Sequence, residues 1–360
     1  MKRLITILVG YCICLCMAGC GKHSDATPGE PGEDAFIRGA DLSFLPEIEQ
    51  RGTKFYTADG TEKDVLSQLS ENGCNTIRVR LWNSPATAHG SLPEVSAFCN
   101  RVRQKNMKVL LDLHYSDTWA DPGNQNTPSA WNNLPLNTLS DSVYSYTRRV
   151  LSVIQPDYIQ IGNEINGGVM WEQGRISREA DFILLLKSGV KAARDYSRGL
   201  RIILHYAGLT GSTWFFGMLQ TNAVDYDIMA LSYYPVWHGT DMKLLQPTLE
   251  ELVSLTSKEV MVAETAYPFT LEWNDHTNNI VGTDSQLASG YPASRAGQFD
   301  FINSLKNSLV QTPKGIGFCY WGGEWVAFKG MQATDGSSWE NQALFDFNNL
   351  ALPVMQVFKK

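Results

Sequence analysis

Short apolar runs alternate with amphipathic stretches along residues 36–360. FIRGADLSFL (36–45) precedes the helical pattern EKDVLSQLSENG. NTIRVRLW (75–82) precedes EVSAFCNRVRQKNM, whose apolar residues recur at helical spacing. KVLLDLHY (108–115) leads through a long polar loop to TLSDSVYSYTRRVLSVI, and DYIQIGNE (157–164) leads to READFILLLKSGVKAARDYS. RIILHYAG (201–208) is followed by TWFFGMLQ, and DIMALSYYP (227–235) by TLEELVSLT. EVMVAETAYP (259–268) precedes a second long polar loop and SRAGQFDFINSLKNSLV, and GIGFCYWGGEW (315–325) closes the series as the last strand. Strands that alternate with helices predict a parallel sheet, and eight such units predict one (β/α)8 TIM barrel of class α/β. No internal repeat, low-complexity stretch or second domain interrupts the mature body.

In such a barrel the C-terminal ends of all eight strands meet on one face, where chemistry concentrates. The predicted strand ends carry Arg78 and Arg80, Asp112 and His114, Asn163 and Glu164, Tyr233 and Tyr234, Glu264, and Trp321 with Glu324 and Trp325. Barrel closure sets Glu164, on the fourth strand, across a common mouth from Glu264, on the seventh. Glycoside hydrolysis needs one carboxyl that is protonated to expel the leaving oxygen and one that is ionised to attack or to activate water. Aromatic side chains suit the apolar faces of sugar rings, and Asn, Asp, His and Arg meet the hydroxyls. Each residue alone has a structural reading as well. A strand-end Glu can be a salt-bridge partner, Arg78 or Arg80 a counter-ion, and a buried histidine such as His114 simply hydrogen-bonded. Two glutamates on the fourth and seventh strands, the first preceded by Asn163, favour catalysis.

Composition narrows the partners. A sequence pI of about 5.4 without a basic stripe argues against nucleic acid. The 43% hydrophobic content and 10 tryptophans supply a large core and leave aromatics over for a binding surface. At the N-terminus, Lys2 and Arg3 precede the apolar run LITILVGYCICLCMA, which is short for a membrane span. Ala18 and Gly19 then precede Cys20, a pattern similar to a bacterial lipoprotein signal, with Met17 where Leu is usual. The expected division is a signal peptide over 1–19, a lipidated Cys20 opening a Gly/Pro/acid-rich tether over 20–35, and a catalytic domain over 36–360. That anchor would hold the protein on the cell envelope, at the outer membrane and the cell surface. An ordinary secretory signal is the alternative. Of seven cysteines, Cys74, Cys99 and Cys319 then remain, an odd and widely spaced set that implies core residues and no disulfide framework.

Eight stretches make a resemblance specific: RGADLSFLP (38–46), NTIRVRLWNSP (75–85), LLDLHYSDTWADPGNQNTPSAW (110–131), QIGNEINGG (160–168), LSYYPVWHGT (231–240), VAETAYP (262–268), YWGGEW (320–325) and NQALFDFNNLALP (341–353). They span nearly the whole mature chain, which resembles glycoside hydrolase family 53, the arabinogalactan endo-β-1,4-galactanases. The resemblance implies Glu164 as general acid/base and Glu264 as nucleophile of a retaining double displacement, with carboxyls about 5–5.5 Å apart. It implies Asn163 on the sugar 2-hydroxyl and a sixth-strand hydroxyl, Tyr233 or Tyr234, on the nucleophile. Further contacts to galactan and its galacto-oligosaccharide products fall to Asp41, Arg78, Arg80, His114, Asp117, Trp119, Trp237 and Trp321, in a protein expected to act as a monomer. Calcium (Ca2+) is implied too, as a structural ion joining two loops. Its implied ligands are Glu272, Asn274, His276 and Asn278 in the loop after the seventh strand, with Ser337 and Glu340 after the eighth. Glu or Asn stands where Asp is common, and a metal-free polar loop is the alternative. Competing readings are a related barrel glycosidase on mannan, xylan or β-glucan, and a surface glycan-binding protein without catalysis.

Overall fold

In β2 (Thr76–Leu81) the sequence TIRVRL sorts by alternation, as a strand must. Ile77, Val79 and Leu81 join the large apolar layer shared with the helices, while Arg78 and Arg80 point the other way, into the ring. The other strands are β1 (Ile37–Asp41), β3 (Lys108–Leu113), β4 (Tyr158–Ile161), β5 (Arg201–Ala207), β6 (Ile228–Ser232), β7 (Glu259–Thr265) and β8 (Gly315–Trp321). Each pairs in parallel with the next, and β8 returns to β1, so the barrel is closed in chain order. Closure leaves no sheet edge to protect. The computed structural model describes residues 36–360. The expected signal peptide, Cys20 and the tether lie outside the described residues.

Helices cover the outside. α1 (Leu45–Gln50) and α2 (Val65–Glu71) follow β1, α3 (Leu92–Gln104) follows β2, α4 (Leu136–Ile154) follows β3, and α5 (Glu179–Tyr196) follows β4. α6 (Ser212–Thr221) comes after β5, α7 (Pro235–His238) and α8 (Leu245–Thr256) after β6, and α9 (Arg295–Gln311) after β7. Caps start two of them: Asp64 accepts from Ser67 N at 2.9 Å, and Ser294 accepts from Gly297 N at 3.0 Å. On α4, Leu139, Val143, Val150, Leu151 and Ile154 are buried at helical spacing. Each such side chain contributes roughly 1.5–3 kcal/mol by leaving water. A smaller apolar plug of Ile37, Leu110, Tyr158, Ile203, Ile228, Ala230, Met261, Ala263, Ile316 and Cys319 fills the lower ring. Polar residues occupy the ring above that plug. The three described cysteines are buried and unpaired.

Eight strands stand where the periodicity placed them, but shorter. β1 ends at Asp41, and Pro46 at the N-terminal end of α1 starts a helical turn that the pattern FIRGADLSFL hides. β8 ends at Trp321 because Gly322 turns the chain at φ +65°. His114 lies just beyond the end of β3, and Pro235 opens the unanticipated α7.

Candidate active site

Glu164 is delivered by a break in β4. Tyr158 and Gln160 face the ring, Ile159 and Ile161 face the helices, and then Gly162 takes φ +82°. A Cβ at Gly162 would meet Ile165 Cγ2 at 2.6 Å, so glycine is needed both for the backbone and for that close approach. Glu164 itself sits at φ +46°, a left-handed conformation that costs a non-glycine residue of order 1 kcal/mol or more. Such strain is tolerated where function needs the side chain turned into a mouth.

Glu264 is delivered by a bulge. Leu231 pairs with Val262, but Ser232 pairs with Glu264, so β7 holds one extra residue there. Ala263 already belongs to the inner plug, and strict alternation would send Glu264 outward; the bulge turns it into the mouth. Facing carboxylate oxygens of Glu164 and Glu264 lie within 4.8 Å of each other. That spacing belongs with the short retaining geometry and leaves no room for the water that an inverting pair needs.

Arg78 organises the floor. Its Nη1 donates to Asp41 Oδ2 at 2.7 Å, and its Nη2 meets Asp112 Oδ2 at 2.8 Å, Asn163 Oδ1 at 2.8 Å and Glu264 Oε1 at 2.9 Å. Its Nε donates to Gln160 Oε1 at 3.1 Å. Burial opposes the guanidinium charge, but Asp112, Glu264 and Asp41 outweigh it and hold Arg78 charged. Tyr234 donates its hydroxyl to Glu264 Oε2 at 3.1 Å, and Ser232 donates to Glu164 Oε1 at 2.5 Å.

Burial pushes the Glu164 carboxyl up to about 7, against the pull of Ser232 and Arg78. Burial also raises Glu264; Arg78 opposes this and the neighbouring Glu164 charge adds to it. Two carboxyls this close in a dry site hold one proton between them near neutrality. The ion pair with Arg78 and the Tyr234 hydroxyl place the anion on Glu264, so the proton resides on Glu164. An acid that must be protonated loses activity as pH rises past its pKa. The kcat/KM profile is therefore expected to fall along a basic limb centred near pH 7, about tenfold per unit beyond it. A limb at pH 9 or above, measured on a soluble oligosaccharide, would contradict the assignment.

A cleft of about 710 Å³ opens above the pair. Of the residues expected to meet the sugar, Asp41, Arg78, Arg80, His114, Trp119, Asn163, Tyr234, Trp237 and Trp321 line it. Two expected contacts do not. Tyr233 is fully buried, stacks on Phe301 and donates to Gly239 O at 3.0 Å, so Tyr234 alone of the pair reaches Glu264. Asp117 instead ties two loops together, accepting from Ser84 N at 3.0 Å and from Ser129 N at 2.8 Å. His114 has both nitrogens engaged, Nε2 to Asp112 at 3.0 Å and Nδ1 from Ala120 N at 3.0 Å. It presents ring surface rather than a free donor. Arg80 is buried against three rings, 4.1 Å from Trp119, 4.2 Å from Trp82 and 4.9 Å from Phe44. Trp325 and Trp339 complete the aromatic wall, with Trp339 4.8 Å from Trp321 between ring centres. Trp339 lies in the loop after β8, and no strand-end pattern singled it out.

The loops after β7 and β8 meet at a second polar cluster. Glu340 Oε1 accepts from Asn274 N at 2.6 Å and Asp275 N at 3.3 Å. Glu340 Oε2 and Asp275 Oδ2 are both buried without a hydrogen-bond partner, and burial followed by the Asp275 charge raises Glu340. A Cβ at Gly336 would come within 2.2 Å of Asp275 Oδ2, so the second loop leaves that oxygen its space. Glu272, His276 and Asn278 are exposed, Asn274 is half-buried, and Ser337 donates to Trp325 O at 2.5 Å. Two buried, uncompensated carboxylate oxygens suit a hard divalent cation. Asp275, buried between the implied ligands Asn274 and His276, is not among the residues that the resemblance implies.

Paired carboxyls at the ends of β4 and β7 of a closed barrel, beneath an aromatic-walled cleft, define a glycoside hydrolase. Residues 37–358 match the model described as Glycosyl hydrolase family 53, and the chain belongs to that family. It is 35% identical over 356 residues to the arabinogalactan endo-beta-1,4-galactanase of Cellvibrio japonicus, covering 93% of each chain. Identity to the endo-beta-1,4-galactanase of Bacillus subtilis is 32% over 372 residues, covering 90% of this chain and 85% of that one. The solved GH53 catalytic domain of Ignisphaera aggregans is similar with a TM-score of 0.85 and 39% identity, covering 92% of this chain and 97% of that chain.

Proposed function

We propose that this protein cleaves internal β-1,4-galactosidic bonds of galactan and type I arabinogalactan with retention, releasing galacto-oligosaccharides. The observation that carries the reading is the approach of Glu164 and Glu264 within 4.8 Å at the floor of the cleft. Glu264 attacks the anomeric carbon as the bond to the leaving oxygen breaks, and Glu164 gives its proton to that oxygen. The resulting ester removes the Glu264 charge. Without that negative charge beside it, Glu164 ionises more readily, hence it is ready to act as base. It takes a proton from water, whose oxygen attacks the anomeric carbon and frees Glu264. Incubation with linear β-1,4-galactan, mannan, xylan and β-glucan tests the substrate. Galactan alone should yield oligomers, and turnover of xylan with galactan untouched would overturn the assignment.

Calcium enters the proposal as a structural ion held by Asp275 and Glu340, with loop carbonyl oxygens completing its shell. Bound there, it would supply the positive charge that two buried carboxylates lack, fixing the loops that carry Trp339 and Ile280 to the cleft. Removing calcium with EGTA should lower Tm, and Glu340→Gln should abolish that sensitivity. An EGTA-insensitive Tm in the unaltered protein would sink the idea.

The N-terminal pattern supports anchoring of the enzyme on the cell envelope through a lipid on Cys20, the tether letting the barrel reach polymer outside. Metabolic labelling with an alkynyl fatty acid should mark the full chain and fail to mark Cys20→Ser. Equal labelling of both would refute the anchor.

A further inference from the structure

Behind Glu164 lies a chain of polar contacts that the mechanism above leaves unused. The Ser232 hydroxyl is 2.5 Å from Glu164 Oε1 and 2.9 Å from His205 Nε2, and both Ser232 and His205 are fully buried. A hydroxyl has one proton to give, so Ser232 can donate to Glu164 while His205 donates to it only if the proton of the imidazole is on Nε2. The other ring nitrogen fits that tautomer. Nδ1 receives the backbone N–H of Glu164 at 3.4 Å, while the two hydrogens of the nearby Gln160 amide have closer acceptors in Asp112 Oδ1 at 2.7 Å and Gly162 O at 3.0 Å. Asn163 Oδ1 also lies 3.0 Å from Nδ1, but it already has a closer, charged donor in Arg78 Nη2 at 2.8 Å. Nδ1 is therefore an acceptor.

We propose that His205, acting through Ser232, is a positioning residue for the acid/base. The chain from His205 Nε2–H to Ser232 Oγ, and from Ser232 O–H to Glu164 Oε1, keeps Oε1 an acceptor and puts the catalytic proton on Oε2. Glu164 lines the cleft, and Oε2 makes no hydrogen bond among the described residues, so it is the oxygen a glycosidic oxygen would meet. A proton on Oε1 would point away from the substrate. The surroundings keep the imidazole to a single proton. Burial and Arg78 from β2 hold His205 well below its ordinary pKa, with His114 and His238 adding to them against the pull of Asp112. On the Glu164 side, Asp121 and Asp112 face its carboxyl, and Glu264 and Tyr234 stand across the floor. None of these groups can replace Ser232 at Oε1.

The inference rests on Glu164 being the acid/base. Ser232→Ala tests it, because a buried serine to alanine change leaves the backbone intact. Loss of a hydrogen bond to the carboxylate raises the Glu164 pKa, so the basic limb of kcat/KM should move up by about one pH unit. On galactan kcat/KM should fall about tenfold, while on a 2,4-dinitrophenyl β-galactobioside, whose leaving group needs no proton, it should stay within about twofold. A generally damaged site would lose equally on both substrates and keep its limb. Nitrogen NMR of histidine-labelled, unaltered enzyme, with His205 assigned by its disappearance in His205→Gln, should report a bare Nδ1 and a protonated Nε2. A protonated Nδ1, an unmoved limb, or equal loss on the two substrates would overturn the proposal. Failure of the unaltered enzyme to cut galactan would instead overturn the function, and the ring shifts need no turnover.

Discussion

Glu264→Gln is expected to lower kcat/KM on linear β-1,4-galactan by about 10⁴-fold or more, with little change in Tm. The amide can keep the Tyr234 hydroxyl as a donor and fill the same volume, but it cannot form a glycosyl ester. A smaller variant, Glu264→Ala, leaves room at the anomeric carbon for azide, which should restore turnover and yield the α-galactosyl azide. Rescue of Glu164→Ala should give the β product, since azide then attacks the ester from the face that water uses. The two anomers separate the two roles without reference to rate. Retention of more than about a hundredth of the activity in Glu264→Gln would remove the nucleophile from this position.

Arg78→Met should be the most damaging substitution away from the two glutamates. The methionine leaves Asp41 and Asp112 as buried carboxylates without their cation, a loss of roughly 3–5 kcal/mol in unfolding free energy. It also frees Glu264 to take up a proton, which disarms the nucleophile, so kcat/KM should fall by about 10³-fold or more in whatever remains folded. Arg78→Lys restores one charge but not the fork that reaches Asp41, Asp112 and Glu264 together, and it should recover stability better than activity. Denaturant unfolding and steady-state kinetics on the same samples check both parts. A variant within about 1 kcal/mol of the parent would show that the buried charges find other partners.

The barrel was legible because each strand announces itself by a short apolar run and each helix by a longer period, and closure follows from the count. Glu164 and Glu264 were legible for the same reason, since strand ends are the working face of this architecture. What escaped is the contact made across elements. YY alone names both tyrosines, and alternation along β6 separates them: Ile228, Ala230 and Ser232 face the ring, so Tyr234 continues inward to Glu264 while Tyr233 turns out onto Phe301. Asp117 looked like a sugar ligand within HYSDTW, but its oxygens are spent on Ser84 and Ser129. His205 and Ser232 sit inside ordinary strand patterns, and only the closed ring brings them behind Glu164. A polar loop is similarly mute: the resemblance implied Glu272, Asn274, His276 and Asn278, while the residue buried among them is Asp275.

The central claim is retaining cleavage of galactan by this pair of carboxyls, and proton NMR of the first minutes of digestion tests it most directly. Linear β-1,4-galactan should release oligosaccharides whose new reducing ends appear first as the β anomer, with the α anomer growing in only by mutarotation. Immediate appearance of the α anomer would contradict the double displacement and the roles given to Glu164 and Glu264.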